Sequence, residues 1–178
     1  LLSFTMKNKN NRPHLIFGAI EKAFDSIPHE HLMKTIRTKF ELHVDDPISR
    51  YLTNMYQNLW FTSSWNGELS NSQRQRVGIK QGCSLSPLLF IIYYNEILEN
   101  LDKAKWDDDV CFIAYADDIV MCFNSEKDAK KGAQILYTTL QELGMKMNVK
   151  KTEVMIIKSD KDEEDPKNLV PRPPVVCV

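Results

Sequence analysis

The chain has 178 residues, of which 43% are hydrophobic and 26% charged; this is the size and balance of one folded domain and excludes collagen-like, disordered and disulfide-scaffold classes. Its 23 basic residues against 24 acidic ones leave a formal charge of −1, so charge alone does not announce a nucleic-acid binder. The longest apolar stretch, Leu88 to Tyr93, is far shorter than the roughly 20 residues that span a bilayer, and Cys83, Cys111, Cys122 and Cys177 form no Cys-x-x-Cys pair, which favours reduced thiols in an intracellular protein over zinc or disulfides.

Residues 1–13 are Asn- and Lys-rich and start without Met; we expect an irregular segment, as in a piece of a longer chain. His14 to Ile20 is a short apolar run behind Pro13, which reads as a buried strand. Pro28 suits a first helical position, and Leu32, Ile36 and Phe40 recur at a spacing that gives one apolar face. Asp46-Pro47 opens a second amphipathic helix with Ile48, Leu52, Met55 and Leu59 on its stripe. Asn66-Gly67 then marks a hairpin between Leu59–Thr62 and a polar stretch ending at Val77.

Ser86-Pro87 starts a long apolar helix to about Leu101, with Ser86 as cap. Val110–Tyr115 and Ile119–Phe123 are β-prone runs flanking Ala116-Asp117-Asp118, so the paired carboxylates belong at a hairpin turn. Ser125 and Asp128 make a capping-box-like start for a helix that Gly144 ends after Leu143, and Met145–Val149 and Glu153–Ile157 finish as short strands. The tail 158–178, a charge run followed by a Pro-rich stretch, cannot build a core. The expected fold is therefore α+β over residues 14–157, a small antiparallel sheet with helices packed on one face, because the Val110–Phe123 hairpin argues against a purely parallel sheet.

Adjacent Asp117 and Asp118 between apolar strands concentrate like charge, which a Mg or Mn ion would relieve; the bland alternative is a solvated turn, since Asp favours turns. A second block, Gly78-Ile-Lys-Gln81-Gly82-Cys-Ser-Leu-Ser86-Pro87, puts a loop at a helix N-terminus, where free N–H groups suit an anion such as phosphate; alone it is equally a capped helix. A third, Glu21-Lys22-Ala23-Phe24-Asp25-Ser-Ile-Pro28-His29, follows the first strand, and a fourth, Gly144-Met-Lys-Met-Asn148-Val-Lys-Lys151-Thr152, follows the last helix. The acidic loop Asp107-Asp-Asp109 reads as a solvated turn, and His29 and His31 as structural residues.

In this order the blocks resemble reverse transcriptases, most closely those of non-LTR (LINE-type) retrotransposons, from about His14 to Ile157. The resemblance implies a polymerase palm-like domain, residues 14–157, with truncated fingers and no thumb, acting as an RNA-directed DNA polymerase in the nucleus or cytoplasm. It implies Mg (or Mn) as cofactor and an RNA template, a DNA primer and deoxynucleotide triphosphates as partners. Carried over by residue, Asp117 is the main metal ligand with Asp118 beside it. Gln81 and Gly82 touch nucleotide and template, Phe24 excludes a ribose 2′ hydroxyl, and Lys151 lies near the phosphates.

One position departs from that pattern. The resemblance implies a metal-binding Asp on the first strand, two residues before the Glu-Lys-Ala-Phe-Asp block, and here Ala19 stands there. Glu21 lies about 6.5 Å further along a strand, too far to restore Mg–oxygen distances near 2.1 Å, so metal binding is expected to be weak and catalysis impaired. The rival expectations are a non-catalytic module that binds nucleic acid or protein, and a decayed fragment that barely folds.

Overall fold

The computed structural model describes residues 13–157; the expectations for residues 1–12 and for the tail lie outside the described residues. Among these the chain forms two compact units, one from residues 13–21, 97–141 and 146–157, the other from Lys22–Glu96 and Glu142–Met145.

The first unit is built on a four-stranded antiparallel sheet of order β6-β7-β1-β8, with β1 His14–Gly18, β6 Val110–Tyr115, β7 Asp118–Phe123 and β8 Glu153–Ile156. Alternation sets its two faces. Ile16 and Gly18 on β1 and Ile119, Met121 and Phe123 on β7 are buried, and the helix α5, Glu126–Glu142, lies over them. A Cβ on Gly132 of that helix would run into the Phe123 ring, and one on Gly18 would meet Leu136 Cδ2 at 2.9 Å. Bare backbone at these crossings is what lets helix and sheet approach. Trp106 closes the same layer against Phe112 and Phe123, with ring centroids 5.7 and 5.4 Å away. Toward the β6–β7 turn the opposite face is open, exposing Phe17, Ile113 and Tyr115.

The second unit is helical, with a β ribbon. The short α1, Ala23–Ser26, leads to α2, His29–Lys39, and α3, Pro47–Gln57. Arg37 ties α2 to α3, donating to Ser49 Oγ and Thr53 Oγ1 at 2.8 Å each. Ile27, Leu32, Ile36, Leu52, Tyr56, Leu89, Phe90 and Tyr93 fill its core, each full burial contributing about 1.5–3 kcal/mol. The ribbon pairs β2 Trp60–Phe61 with β5 Gln73–Arg74 and β3 Ser64–Trp65 with β4 Glu68–Leu69. α4, Ser86–Lys103, begins in this unit. Among the described residues no helix is long and apolar enough to cross a membrane.

The α+β class and the helix-covered antiparallel sheet agree with the sequence expectation. Several local expectations do not. Pro28 precedes α2 as its extended cap residue (ψ 128°) instead of opening it. Ser86 lies inside α4, its hydroxyl spent on Lys80 O at 2.6 Å, and so does not cap it. The buried stripe of α3 is Ser49, Leu52 and Tyr56, while Ile48 is 62% exposed; Ile48 and Tyr56 both lie one helical turn from Leu52, and it is Tyr56 that is buried. Phe40, at the end of α2, is also exposed. Met145–Val149 makes only the isolated bridge Ile20↔Met147, because turns at Gly144 and Asn148–Lys151 leave it no length to pair.

Candidate active site

The carboxylates come from the β6–β7 hairpin. Tyr115 pairs with Asp118, so the turn is Ala116-Asp117 alone, with Ala116 at φ 52°; Asp118 is thus the first residue of β7, where a turn residue was expected. Two-residue hairpins need positive φ in the turn to match the strand twist. Phe17 pairs with Val120 and Gly18 with Ile119, where the β1–β7 ladder ends; the next residue on each strand, Ala19 and Asp118, line one cleft.

Ala19 is held from its other side as well. Its N–H donates to Thr152 Oγ1 at 3.3 Å, and its carbonyl accepts from Asn148 N at 2.8 Å. Thr152 Oγ1 donates in turn to Asn148 O at 2.9 Å. This turn brings Lys151 to the sheet edge. Ala19, Asp118 and Lys151, together with Phe17, Gly18, Ile119 and Val120, line a cleft of about 320 Å³. Asp117, half-buried in the turn, is not among its lining residues. Glu21 lies past the end of β1, its N–H donating to Lys146 O at 2.8 Å, and it does not line the cleft either. The strand expected to run to Ile20 ends its ladder at Gly18, which leaves Glu21 no place on its face.

In the second unit, Phe24, Lys80, Gln81, Gly82, Cys83 and Ser86 line a cleft of about 420 Å³. Phe24 is fixed by stacking on Phe90, with centroids 4.5 Å apart and rings 9° from parallel. Gln81 Nε2 donates to Asp25 Oδ1 at 2.9 Å. Backbone bonds Gly78 N to Ile27 O and Ile79 N to Phe24 O, 2.8 and 2.9 Å, dock the loop on α1. Asp25 is therefore a positioning partner that sequence reasoning missed; its place at the end of the Glu-Lys-Ala-Phe-Asp block was the available signal. Cys83 is also new here. The N–H of Leu85, aided by Ser86 and Lys80, holds its thiol below the ordinary cysteine value. His29 is structural as expected, its Nε2 2.6 Å from Gly78 O.

These positions sort by unit: Ala19, Asp118 and Lys151 share one cleft, and Phe24, Gln81 and Gly82 share the other. A metal pair needs several oxygen ligands at fixed distances. The cleft beside Asp118 offers a methyl group at Ala19, and among the described residues no group of three or more His, Cys, Asp or Glu could hold a metal ion. The residues present do not fit a complete metal centre.

An antiparallel sheet that carries adjacent carboxylates on a hairpin, backed on one face by helices, is a polymerase palm-like fold. The chain belongs to the reverse transcriptase family, whose model, described as reverse transcriptase (RNA-dependent DNA polymerase), matches residues 3–169. It is similar to the retrovirus-related Pol polyprotein of the type-1 retrotransposable element R2 from Popillia japonica, 24% identical over 138 residues, covering 74% of this chain and 22% of that protein. The R2 polyprotein from Nasonia vitripennis is 25% identical over 154 residues, covering 82% of this chain and 14% of its own length. These relatives bear out the expected non-LTR retrotransposon type, and the chain spans about a fifth or less of their length. In fold it is similar to telomerase from Candida tropicalis in complex with a fragment of telomeric RNA, with a TM-score of 0.72 at 17% identity, covering 89% of this chain and 29% of that one. The apo enzyme from the same organism, truncated of its C-terminal domain, gives 0.69 at 21% identity, covering 87% of this chain and 34% of that one.

Proposed function

We infer that residues 14–157 are the palm of a retroelement's RNA-directed DNA polymerase in which the chemical step is lost or severely impaired while substrate-contacting parts remain. The observation that supports this is Ala19, which follows the last β1–β7 pair, lines one cleft with Asp118, and bonds through both its N–H and its carbonyl to the 148–152 turn. A side chain with no oxygen at that point leaves Asp117 and Asp118 without a third carboxylate, and Mg, with its demand for near-octahedral oxygen geometry, tolerates such a gap poorly.

The other positions keep chemistry suited to substrate. Phe24, braced by Phe90 and lining the cleft with Gln81, would crowd a ribose 2′ hydroxyl and so favour deoxynucleotide triphosphates. Gln81, oriented by Asp25, and the backbone of Gly82 would meet the incoming nucleotide and the RNA template. Lys151, at the mouth of the Ala19 cleft, would lie near phosphate as a point charge. Template RNA and primer DNA are the partners this reading requires, inside the cell, with Mg or Mn as the ions that Asp117 and Asp118 would hold weakly.

Extension of a DNA primer on an RNA template with Mn, by this chain and by its Ala19→Asp variant, tests the reading. The chain itself should stay at background and the variant should add nucleotides measurably. Robust extension by the Ala19 form would overturn it.

A further inference from the structure

Outside both clefts, the β6–β7 hairpin places two cysteines face to face. Cys111 pairs directly with Cys122, and paired residues share a face of the sheet. The alternate pairs, Ile113 with Val120 and Tyr115 with Asp118, lie on that same face, opposite the one that α5 covers. Cys111 is half-buried, Cys122 is fully buried, and both are free thiols. The two sulfurs sense each other: burial pushes the Cys122 thiol up, and the nearby Cys111 adds to that shift.

The register fixes how far apart they stand. The turn is only two residues long, so Tyr115 and Asp118 beside it are a hydrogen-bonded pair. Every second pair after it is one as well, Cys111 with Cys122 included. Hydrogen-bonded pairs are the wide ones, with both Cα and Cβ atoms about 5.5 Å apart. A disulfide holds its Cβ atoms at about 3.8 Å, so these thiols face each other across a gap too wide for that bond. One ion between two sulfurs fills such a gap, since two metal–sulfur bonds of about 2.3 Å set in line span about 4.6 Å. The ligand set then selects the ion. Magnesium and calcium take oxygen ligands, and zinc and iron–sulfur clusters take four ligands. Among the described residues no group of three or more His, Cys, Asp or Glu could hold a metal ion. Of the metals that soft thiolates select, Cu(I) is the one left for two donors alone.

We propose that Cys111 and Cys122 form a two-coordinate site for Cu(I), which clamps β6 to β7 behind the turn that carries Asp117 and Asp118. The half-buried Cys111 meets the ion first and Cys122 completes the pair. Each thiol releases its proton to solvent as its sulfur bonds the ion, so two protons leave, no electron moves and the bound unit carries one negative charge. The site depends neither on Ala19 nor on the polymerase reading.

Anaerobic competition between the full chain and a coloured Cu(I) chelator tests it, with Cys83→Ser and Cys177→Ser in place to remove the other two thiols. That protein should withdraw one Cu(I) per chain and melt at a higher temperature when loaded, because the ion binds the folded form. X-ray absorption of the loaded protein should show two sulfur neighbours and no nitrogen or oxygen. Adding Cys111→Ser should weaken Cu(I) binding at least about 100-fold, beyond what the loss of a supporting outer partner causes. Should that variant fail to fold, the neighbour count on the protein with both cysteines decides alone. Equal Cu(I) uptake by a folded Cys111→Ser variant would overturn the proposal, as would no uptake by the parent, an ion shared between two chains, or three or four neighbours around the metal. So would ready closure of a Cys111–Cys122 disulfide by oxidised glutathione, read by peptide mass mapping, since the thiols would then stand within bonding reach.

Discussion

At the scale of single residues, Ala19 lacks the oxygen that its neighbour Asp118 carries. Ala19 is bonded through its backbone alone, to Thr152 Oγ1 and Asn148 N, so Ala19→Asp breaks none of these bonds and adds a carboxylate to the cleft that Asp118 lines. The two cysteines with perturbed thiols supply a separate check. Cys83 lines an open cleft and is shifted down by backbone N–H donors, whereas burial pushes Cys122 up. The thiolate is the nucleophile, so at neutral pH iodoacetamide should label Cys83 first and leave Cys122 unmodified until the chain unfolds; peptide mass mapping reads this directly. Residues of this kind were unevenly legible. Phe24, Gln81, Gly82, Asp117, Asp118 and Lys151 sit in the contiguous blocks that carry the family resemblance, which is what puts them forward as candidates. Asp25 escaped because its role is a bond to Gln81 far along the chain, and no local spacing encodes that.

At the scale of elements, the packing of α5 on the sheet requires a residue without a side chain at Gly132. Gly132→Ala forces a methyl into the Phe123 ring, which Trp106 and Phe112 confine, and overpacking of this sort costs about 1–3 kcal/mol. Urea unfolding should show that loss; an unchanged midpoint would mean the helix rides higher over β7 than described. Gly144 is the second backbone constraint. It has φ 71° and a Cβ there would lie 2.8 Å from Pro28 Cγ, so Gly144→Ala should destabilise by on the order of 1–2 kcal/mol through strain and clash together. Helices, hairpins and the last strand were readable because periodicity and turn chemistry are local. The strand expected at 145–149 was not there, since apolar alternation cannot report that two turns leave no room for a ladder. The misplaced stripe of α3 has a similar cause: Ile48 looked like core by spacing, but Tyr56 fills the inner side with a larger ring at 1% exposure.

At the scale of the whole molecule, a formal charge of −1 means that long-range attraction does not gather nucleic acid. The template and primer binding proposed above would therefore rest on local features such as Lys151 and should fade with salt. Acid behaviour is local too. Lys127 bonds to Asp107 at 2.5 Å and Lys130 to Glu126 at 2.7 Å, and each holds its carboxyl below the usual range. A lowered carboxyl contributes stability above its unfolded value, about 4, and loses it as pH falls through the folded one. Lys127 is raised by Asp107, so its share is intact below the unfolded lysine value, about 10.4, and is lost as pH rises through the folded one. Both pairs are solvent-exposed, so the effect is small and salt-screened. A Lys127→Met variant should therefore melt slightly below the parent at neutral pH and low salt, and the difference should shrink at acid and at strongly alkaline pH; thermal scans across pH check it.

The most direct measurement is a Mn titration, followed by electron paramagnetic resonance in the presence of a deoxynucleotide triphosphate, on this chain and its Ala19→Asp variant side by side. The account predicts that the variant binds the metal and nucleotide together clearly more tightly, because the added carboxylate completes the set that Asp117 and Asp118 leave unfinished. Coincident titrations would contradict it, since position 19 would then not be where the ligand is missing.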